Sequence, residues 1–196
     1  RKYAAIGTNR CLYIYFDGDF YDVTPIDPDR QSTGANITTT NGSTTVTITT
    51  SSAHDIEVGD IITFENAGSF TGGQTSYTAS DFDDVLYEVQ TTPSTTTFTI
   101  QMATAETGTG ATNDGTLDPL PYIRIGDIFQ NPAFGWGIGK WGAGTWGTPR
   151  TATNVFLDPG VWSLDNFGQN LIATVHNGRT FQWLPIQASG TGALTT

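Results

Sequence analysis

Four short segments in the middle of the chain alternate apolar and polar residues with a period of two. They are Thr45–Thr49, Ile61–Phe64, Val85–Val89 and Thr97–Ile100. Successive side chains of a β-strand point to opposite faces of the sheet, so this alternation predicts half-buried antiparallel strands. Four such strands suit a small β-barrel or a sandwich.

The two ends of the chain share a second pattern, an apolar run followed by a glycine turn and an aromatic strand. A constant offset of 160 residues aligns Leu12 with Ile172, Gly18 with Gly178 and Tyr21 with Phe181. The turns, Asp17-Gly18 and Asn177-Gly178, favour two-residue type I′ hairpins, which need a positive φ at both central positions. We therefore predict repeated β-hairpins, an element of propeller blades or of stacked sheets.

Composition favours an all-β chain. The 196 residues include 35 threonines and 23 glycines. Threonine favours strands and glycine favours turns, while good helix formers are scarce. We predict propeller-blade-like antiparallel hairpins in residues 1–31 and 121–196, as part of a larger propeller. An inserted threonine-rich small β-barrel or sandwich is predicted for residues 32–120, with loops at Gly68–Ser76 and Glu106–Gly115.

A glycine-rich segment carries three tryptophans five residues apart. Trp136, Trp141 and Trp146 are each followed by glycine, which leaves the backbone free beside a large flat indole. With Trp162 and Trp183, these are the predicted interface or packing residues. Three roles stay open for the indoles of the glycine-rich segment. They could form the packed centre of the blades, make a subunit contact, since tryptophan is enriched at interface hot spots, or stack on sugar rings.

The acidic net charge of the chain argues against nucleic acid as a specific partner. Eight basic against 19 acidic residues give a net charge of -11, and the isoelectric point is near 4.2. Such a surface repels phosphate, which argues against sequence-specific nucleic-acid binding. No apolar run is long enough to cross a bilayer and no signal-peptide pattern is present, so no membrane partner is predicted. The single cysteine, Cys11, lies in an apolar run and is predicted to be a buried, unreactive thiol.

No group of residues indicates catalysis. His54 and His176 lack metal-ligand spacing, and we predict a turn-stabilising hydrogen bond for the first and a hairpin surface for the second. Acidic groups at 17–22, 27–29 and 81–84 could offer oxygens to Ca²⁺, but none has the twelve-residue loop pattern, so solvated turns are predicted. The prediction is no catalytic residue, no metal ligand and no cofactor, with a carboxylate pair for glycoside hydrolysis as the open alternative.

Segments at both ends, covering roughly half of the chain, resemble structural proteins of tailed phages. The resemblance is carried by Ile6-Gly7-Thr8-Asn9, Leu12-Tyr13-Ile14-Tyr15, Tyr21-Asp22-Val23-Thr24-Pro25, Trp146-Gly147-Thr148-Pro149 and Trp162-Ser163-Leu164-Asp165-Asn166-Phe167-Gly168. These segments are similar to the β-propeller nozzle, or packaged-DNA stabilisation, proteins of short-tailed phages. Since a closed propeller needs at least four blades, the resemblance implies that most of the propeller lies outside this chain.

The middle of the chain resembles a second pattern. The segments Thr45-Val46-Thr47-Ile48-Thr49, Ala53-His54-Asp55-Ile56, Val58-Gly59-Asp60-Ile61-Ile62 and Phe98-Thr99-Ile100 look like the small barrel inserted in such phage proteins. They are also similar to the first catalytic-cysteine half-domain of ubiquitin-activating enzymes. That half-domain carries no catalytic residue, so no ubiquitin chemistry is implied.

The resemblance implies a non-enzymatic virion protein of the phage tail. It implies a homo-oligomer, a hexameric nozzle-type ring at the DNA exit channel that retains and conducts packaged DNA, with adaptor, needle and spike proteins as partners. DNA would pass through without sequence-specific binding, because an acidic lining repels phosphate. The alternatives are a glycan- or receptor-binding module of a tail fibre or adhesin and, less favoured, a polysaccharide depolymerase.

Overall fold

The structure, a computed structural model, describes residues 3–71, 77–108, 112–113, 115–125, 129–130, 155–156, 161–176 and 178–185. Within these residues it is nearly all β, which confirms the predicted fold class, and its one helix is a single 3-10 turn, Ala79–Asp81. In chain order the strands are β1 (Ala4–Gly7), β2 (Leu12–Phe16), β3 (Asp19–Asp22), β4 (Asn36–Thr38), β5 (Thr45–Thr49), β6 (Ile61–Glu65), β7 (Phe70–Thr71), β8 (Tyr87–Glu88), β9 (Thr91–Ser94), β10 (Thr97–Gln101), β11 (Thr112–Asn113), β12 (Asp118–Pro121), β13 (Phe129–Gln130), β14 (Val155–Phe156), β15 (Trp162–Phe167), β16 (Asn170–Val175) and β17 (Thr180–Trp183).

The chain divides into two compact units. Unit 1 consists of Arg1–Asp22 with Ile125–Thr196, and unit 2 is the continuous segment Val23–Arg124. Unit 1 contains two three-stranded meanders, β1-β2-β3 and β15-β16-β17, and the pair β13-β14. Unit 2 contains the sheets β4-β5-β10-β9 and β12-β6-β8 and the pair β11-β7. All the ladders between these strands are antiparallel, and the propeller arrangement stays a prediction.

The two larger sheets of unit 2 enclose one hydrophobic core. Ile48 of β5, Phe64 of β6 and Phe98 of β10 are fully buried in it. The rings of Phe64 and Phe98 are nearly parallel, with an interplanar angle of 6° and centroids 6.5 Å apart. In the described residues these sheets do not close into a barrel, so the predicted sandwich, and not the predicted barrel, describes them.

The period-two pattern located three of its four strands. β5, β6 and β10 occupy the predicted segments, whereas Val85–Val89 contributes only the two residues of β8. The chain is still turning there, because Asp84 has a φ of 60° and the Val85 amide donates to the Phe82 carbonyl at 3.2 Å. Two predicted loops also differ from expectation, since they supply the short strands β7 and β11, which pair with each other.

Unit 2 begins and ends with paired backbone segments. The Asp27 amide donates to the Pro121 carbonyl at 2.8 Å, and the Ala35 amide donates to the Leu117 carbonyl at 2.7 Å. The predicted insertion, residues 32–120, lies inside unit 2. The observed unit extends further at both ends because its first residues pair with its last. We call the two paired segments, residues 27–35 and 117–124, the neck.

The two predicted hairpin turns have different outcomes. Asp17 and Gly18 have φ values of 55° and 100°, so the type I′ turn between β2 and β3 is confirmed. The turn between β16 and β17 was predicted one residue too short. Asn177 lies outside the described residues, but the Val175 amide donates to the Arg179 carbonyl at 3.2 Å, so the last paired positions are separated by three residues of the chain and not by two.

Candidate functional site

The central strand of the first meander of unit 1 is buried on one face of the sheet, and the opposite face is largely exposed. Tyr21 of β3 lies on the same face as Ile14 but is 51% exposed. On the buried face, Leu12 and Ile14 of the central strand are 0% and 2% exposed. The register places Ile6, Tyr13 and Asp22 side by side in one row of the opposite face, and Ala4, Tyr15 and Phe20 in the next row. We call Ile6, Tyr13, Tyr15 and Phe20 the aromatic face.

Most of the aromatic face lies open to solvent. Phe20 is 63% exposed, and Tyr15 and Ile6 are each 40% exposed. The rings of Tyr15 and Phe20, directly opposite each other on β2 and β3, pack with centroids 5.0 Å apart at an angle of 47°. Adjoining exposed apolar side chains of this size mark surfaces that bind a ligand or a partner.

Acidic residues border the aromatic face. Asp17 occupies the turn, Asp19 begins β3, and Asp22 ends β3 in the same row as Tyr13. The pKa of Tyr13 is raised to about 12 by a hydrogen bond with Cys11, by burial and by electrostatic interactions with Cys11 and with the carboxylate of Asp22. Tyr13 therefore remains a neutral phenol at physiological pH, able to donate or accept a hydrogen bond.

The two meanders pack directly against each other within unit 1. Trp162 of β15 donates its indole N–H to the Thr8 carbonyl at 3.0 Å. A Cβ at position 7 would lie 2.5 Å from Trp162 Cδ1, so only glycine fits beside this indole. Tyr3 packs edge-on against Trp183, with ring centroids 5.1 Å apart. These contacts hold both ends of β1, the strand that carries Ile6 of the aromatic face.

The second meander does not repeat the aromatic face. Its buried face carries Leu171, Ala173, Val175 and Phe181, all at most 3% exposed. On its opposite face, Ile172 lies between Asp165 and Gln182. Its most exposed aromatic residue is Phe167, at 75%, which lies beside the turn at Gly168.

Unit 2 holds a second concentration of charge, at its neck. Asp60 accepts hydrogen bonds from Arg30 Nη1 at 2.7 Å, from Arg124 Nη2 and Nε at 2.8 and 3.0 Å, and from the Glu57 amide at 2.9 Å. Arg30 also donates to Asp27 at 2.9 Å and to the Tyr122 carbonyl. One carboxylate therefore ties both neck segments to the loop before β6.

The environment of Asp60 holds it in the charged form. Burial raises its pKa, but hydrogen bonds from Arg124 and from the Glu57 amide, with the positive charges of Arg30 and Arg124, outweigh burial and leave the pKa below its ordinary value. Asp60 is 8% exposed, and its oxygens already accept four hydrogen bonds. This cluster suits a structural clamp better than a catalytic site, where a group must reach a substrate.

The predicted site residues fall into two groups. Trp162 and Trp183 lie on the buried face of the second meander, with the contacts given above, whereas Trp136, Trp141 and Trp146 lie outside the described residues. An interface role for all five stays a prediction. The sequence interpretation did not single out the side chains of the aromatic face or of the neck cluster.

The other predicted positions have local structural roles. His54 Nδ1 accepts from the Ile56 amide at 3.2 Å, which confirms the predicted turn bond. Cys11 is free and buried, as predicted. Asp81 and Asp83 accept from the backbone amides of Thr78 and Ala67 at 2.7 and 2.9 Å. Among the described side chains, no three His, Cys, Asp or Glu residues are grouped as metal ligands. In the same part of the chain, no helix has the length and apolarity to cross a membrane.

Comparison with known proteins finds one distant structural similarity. No protein-family model and no curated protein matches the chain. It is similar to the solved structure of the phage phi92 endosialidase, with 18% sequence identity and a TM-score of 0.35. The similarity covers 98% of this chain and 29% of the endosialidase chain, so this chain spans less than a third of that protein. A similarity of this strength establishes neither a shared fold nor a shared activity.

Proposed function

We propose that this chain is a non-enzymatic structural component of a phage tail, a subunit of a nozzle-type ring at the DNA exit channel, and that its aromatic face contacts a neighbouring tail protein. The resemblance of both ends to nozzle proteins supports the place in the tail. The exposed, adjoining rings of Tyr15 and Phe20 support the contact, and this is the observation that carries the proposal.

The aromatic face has the physical properties of an interface centre. Aromatic side chains contribute most of the binding free energy at many interfaces, since they bury a large area with few rotatable bonds. Here they stand on a regular sheet that is held by the contacts of Trp162 and Tyr3. A surface that is already ordered loses little conformational entropy on binding.

The acidic charge of the chain suits a channel lining along which DNA slides without binding. With 19 acidic and eight basic residues, a ring of such subunits repels phosphate and gives DNA few cations to bind. In this proposal the ring is a hexameric conduit that also touches the adaptor, needle and spikes.

Particle assembly tests the proposal. A phage whose own copy of this gene is disrupted is complemented with the wild-type chain or with the double variant Tyr15→Ser/Phe20→Ser. The matched control is Phe167→Ser, which also removes an exposed aromatic ring from unit 1 but lies outside the aromatic face. Mass spectrometry of purified particles detects the chain, and electron microscopy scores the tails.

We expect the wild type and Phe167→Ser to restore tails containing the chain. The double variant is expected to leave most particles without the chain or with incomplete tails. The proposal fails if wild-type particles lack the chain, or if the double variant assembles as well as the control while its circular dichroism spectrum shows that it is folded.

One observation favours a second candidate, a glycan-binding module. The rings of Tyr15 and Phe20 lie beside Asp22, and a sugar can stack on aromatic rings while carboxylates accept its hydroxyl hydrogen bonds. A glycan array screened with the wild type and with Tyr15→Ser/Phe20→Ser tests it. Saccharide binding that is lost in the double variant and kept in Phe167→Ser would favour this candidate over the tail contact.

A further inference from the structure

His54 lies in the loop that precedes β6, residues 50–60, and is held from two sides. Its backbone amide donates to the carbonyl of Thr95, in the turn between β9 and β10, at 2.8 Å. Its ring packs edge-on against Phe98 of the core of unit 2, with ring centroids 5.5 Å apart at an angle of 88°. The imidazole therefore connects the loop to the core.

The hydrogen bonds of His54 decide which ring nitrogen carries its proton. Nδ1 accepts from the Ile56 amide at 3.2 Å, so Nδ1 has no proton and the proton of the neutral ring lies on Nε2. Nε2 is buried, and among the described residues it has no hydrogen-bond partner. The arrangement therefore suits the neutral ring, because in the protonated ring both nitrogens carry hydrogen and neither meets an acceptor in the described part of the chain.

The bond between Ile56 and His54 holds a stretch of the loop that contacts the neck. Ile56 is 4% exposed and belongs to the core of unit 2. Asp55 lies between the two bonded residues, and its carbonyl accepts from Arg124 Nη2 at 2.9 Å and from Arg30 Nη1 at 3.5 Å. The hydrogen bond to Nδ1 therefore positions a carbonyl that both arginines of the neck contact.

The charged groups around this loop are already paired with one another. The ion pairs join Arg124 to Asp55, Glu57 and Asp60, and Arg30 to Asp27 and Asp60. The segment 91–101, which supplies both Phe98 and the Thr95 carbonyl, contains no titratable side chain. Among the described residues, no carboxylate forms a hydrogen bond with either ring nitrogen of His54. A second proton on this ring therefore gains no ion-pair partner at hydrogen-bond distance.

We infer that His54 is a pH-sensitive contact of unit 2, whose protonation releases the Ile56 amide and loosens the hold of the loop on the neck. One proton passes from solvent to Nδ1, which can then no longer accept the hydrogen bond. Histidine ordinarily changes charge between about pH 5 and pH 8, so the release occurs on mild acidification. The contact lies wholly within unit 2, so it is independent of the proposed function.

Amide hydrogen exchange of the purified chain, followed by NMR at about pH 7.5 and about pH 5, tests the inference. The protection factor of the Ile56 amide is compared, because it corrects for the ordinary effect of pH on exchange. In the wild type we expect it to fall about tenfold at the lower pH, as for the loss of one hydrogen bond. The matched control is His176→Asn, which removes the exposed histidine and should behave as the wild type does.

The variant His54→Asn separates protonation from the other effects of pH. Its Oδ1 can accept from the Ile56 amide but does not titrate, so the protection of that amide should not change with pH. The inference is wrong if the wild type keeps its protection at about pH 5, or if His54→Asn loses as much as the wild type. Nuclear Overhauser contacts between the rings of His54 and Phe98 test the wild type alone. They should weaken at the lower pH, and contacts that persist while the ¹⁵N shifts show a protonated ring would also overturn the inference.

Discussion

Replacing Asp60 with asparagine keeps the shape of the side chain but removes the negative charge that Arg30 and Arg124 share. Arg30 is 7% exposed and lies 2.7 Å from the carboxylate. In Asp60→Asn its guanidinium stays buried, but one of the negative charges that balance its positive charge is lost. Arg124 loses a bidentate contact at 2.8 and 3.0 Å. The change therefore tests whether this cluster is what holds the neck of unit 2.

The size of the effect follows from burial. Removing one partner of a buried ion pair costs about 3–5 kcal/mol, because the remaining charge is left uncompensated. Arg30 keeps Asp27 at 2.9 Å and the asparagine oxygen can still accept a hydrogen bond, so the lower end applies, about 3 kcal/mol. For a unit of this size, Val23–Arg124, that lowers the melting temperature by about 14 °C.

Scanning calorimetry at neutral pH measures the shift, with Asp55→Asn as the matched control. Asp55 is 77% exposed and its carboxylate lies 3.9 Å from Arg124, so its loss is expected to cost about 0.5 kcal/mol or less. If Asp60→Asn lowers the melting temperature no more than the control does, the cluster does not stabilise the neck and the reasoning is refuted.

The pH dependence has a definite sign. The folded-state pKa of Asp60 lies below its ordinary value of 3.8, so the stabilisation is complete above that value and is lost as the pH falls through the folded-state pKa. The difference in unfolding free energy between the wild type and Asp60→Asn is therefore constant above pH 3.8 and shrinks below it. A difference that persisted unchanged into stronger acid would contradict this assignment.

Three further predictions concern other parts of the chain. Gly7→Ala brings a Cβ against Trp162 and should lower the unfolding free energy of unit 1 by about 2 kcal/mol, with altered tryptophan fluorescence and a lower urea midpoint as the readouts. Phe98→Ala opens a cavity in the core of unit 2 and should cost about 4 kcal/mol by calorimetry. Cys11→Ala removes the hydrogen bond that contributes most to the raised pKa of Tyr13, so an ultraviolet titration should show that pKa falling from about 12 toward 10.0, and an unchanged titration would show that the bond is not the cause.

The strands of unit 2 were predictable because each carries its own signal. In β5 and β10 every second residue is apolar and buried, so period-two alternation alone locates them. The neck cluster has no such signal. Asp60 is 30 residues from Arg30 and 64 from Arg124 along the chain, and only the folded backbone brings the three together. The local sequence around Asp60 shows that a carboxylate is present, but it does not show that Arg30 and Arg124 bind it.

The aromatic face could not be predicted for a different reason. The sequence repeat locates the strands but does not establish to which face of the sheet each side chain points. The offset of 160 residues aligns Leu12 with Ile172, yet Leu12 is fully buried, whereas Ile172 is half-buried on the opposite face of its sheet, between Asp165 and Gln182. Since side chains alternate with a period of two, a displacement of one residue exchanges the two faces of a strand.

The first hairpin turns in two residues and the second in three, so side chains aligned before the turn point to opposite faces, whereas Tyr21 and Phe181, aligned after the turn, lie on corresponding faces. Equivalent surfaces on the two meanders therefore do not follow from the repeat. A partner that recognises Tyr15 and Phe20 finds no matching pair on the described face of the second meander, where Thr174 lies between Ser163 and Thr180. The described meanders thus carry one aromatic face per chain. This favours the proposed contact with a different protein over a contact in which the first meander of one copy binds the second meander of the next copy.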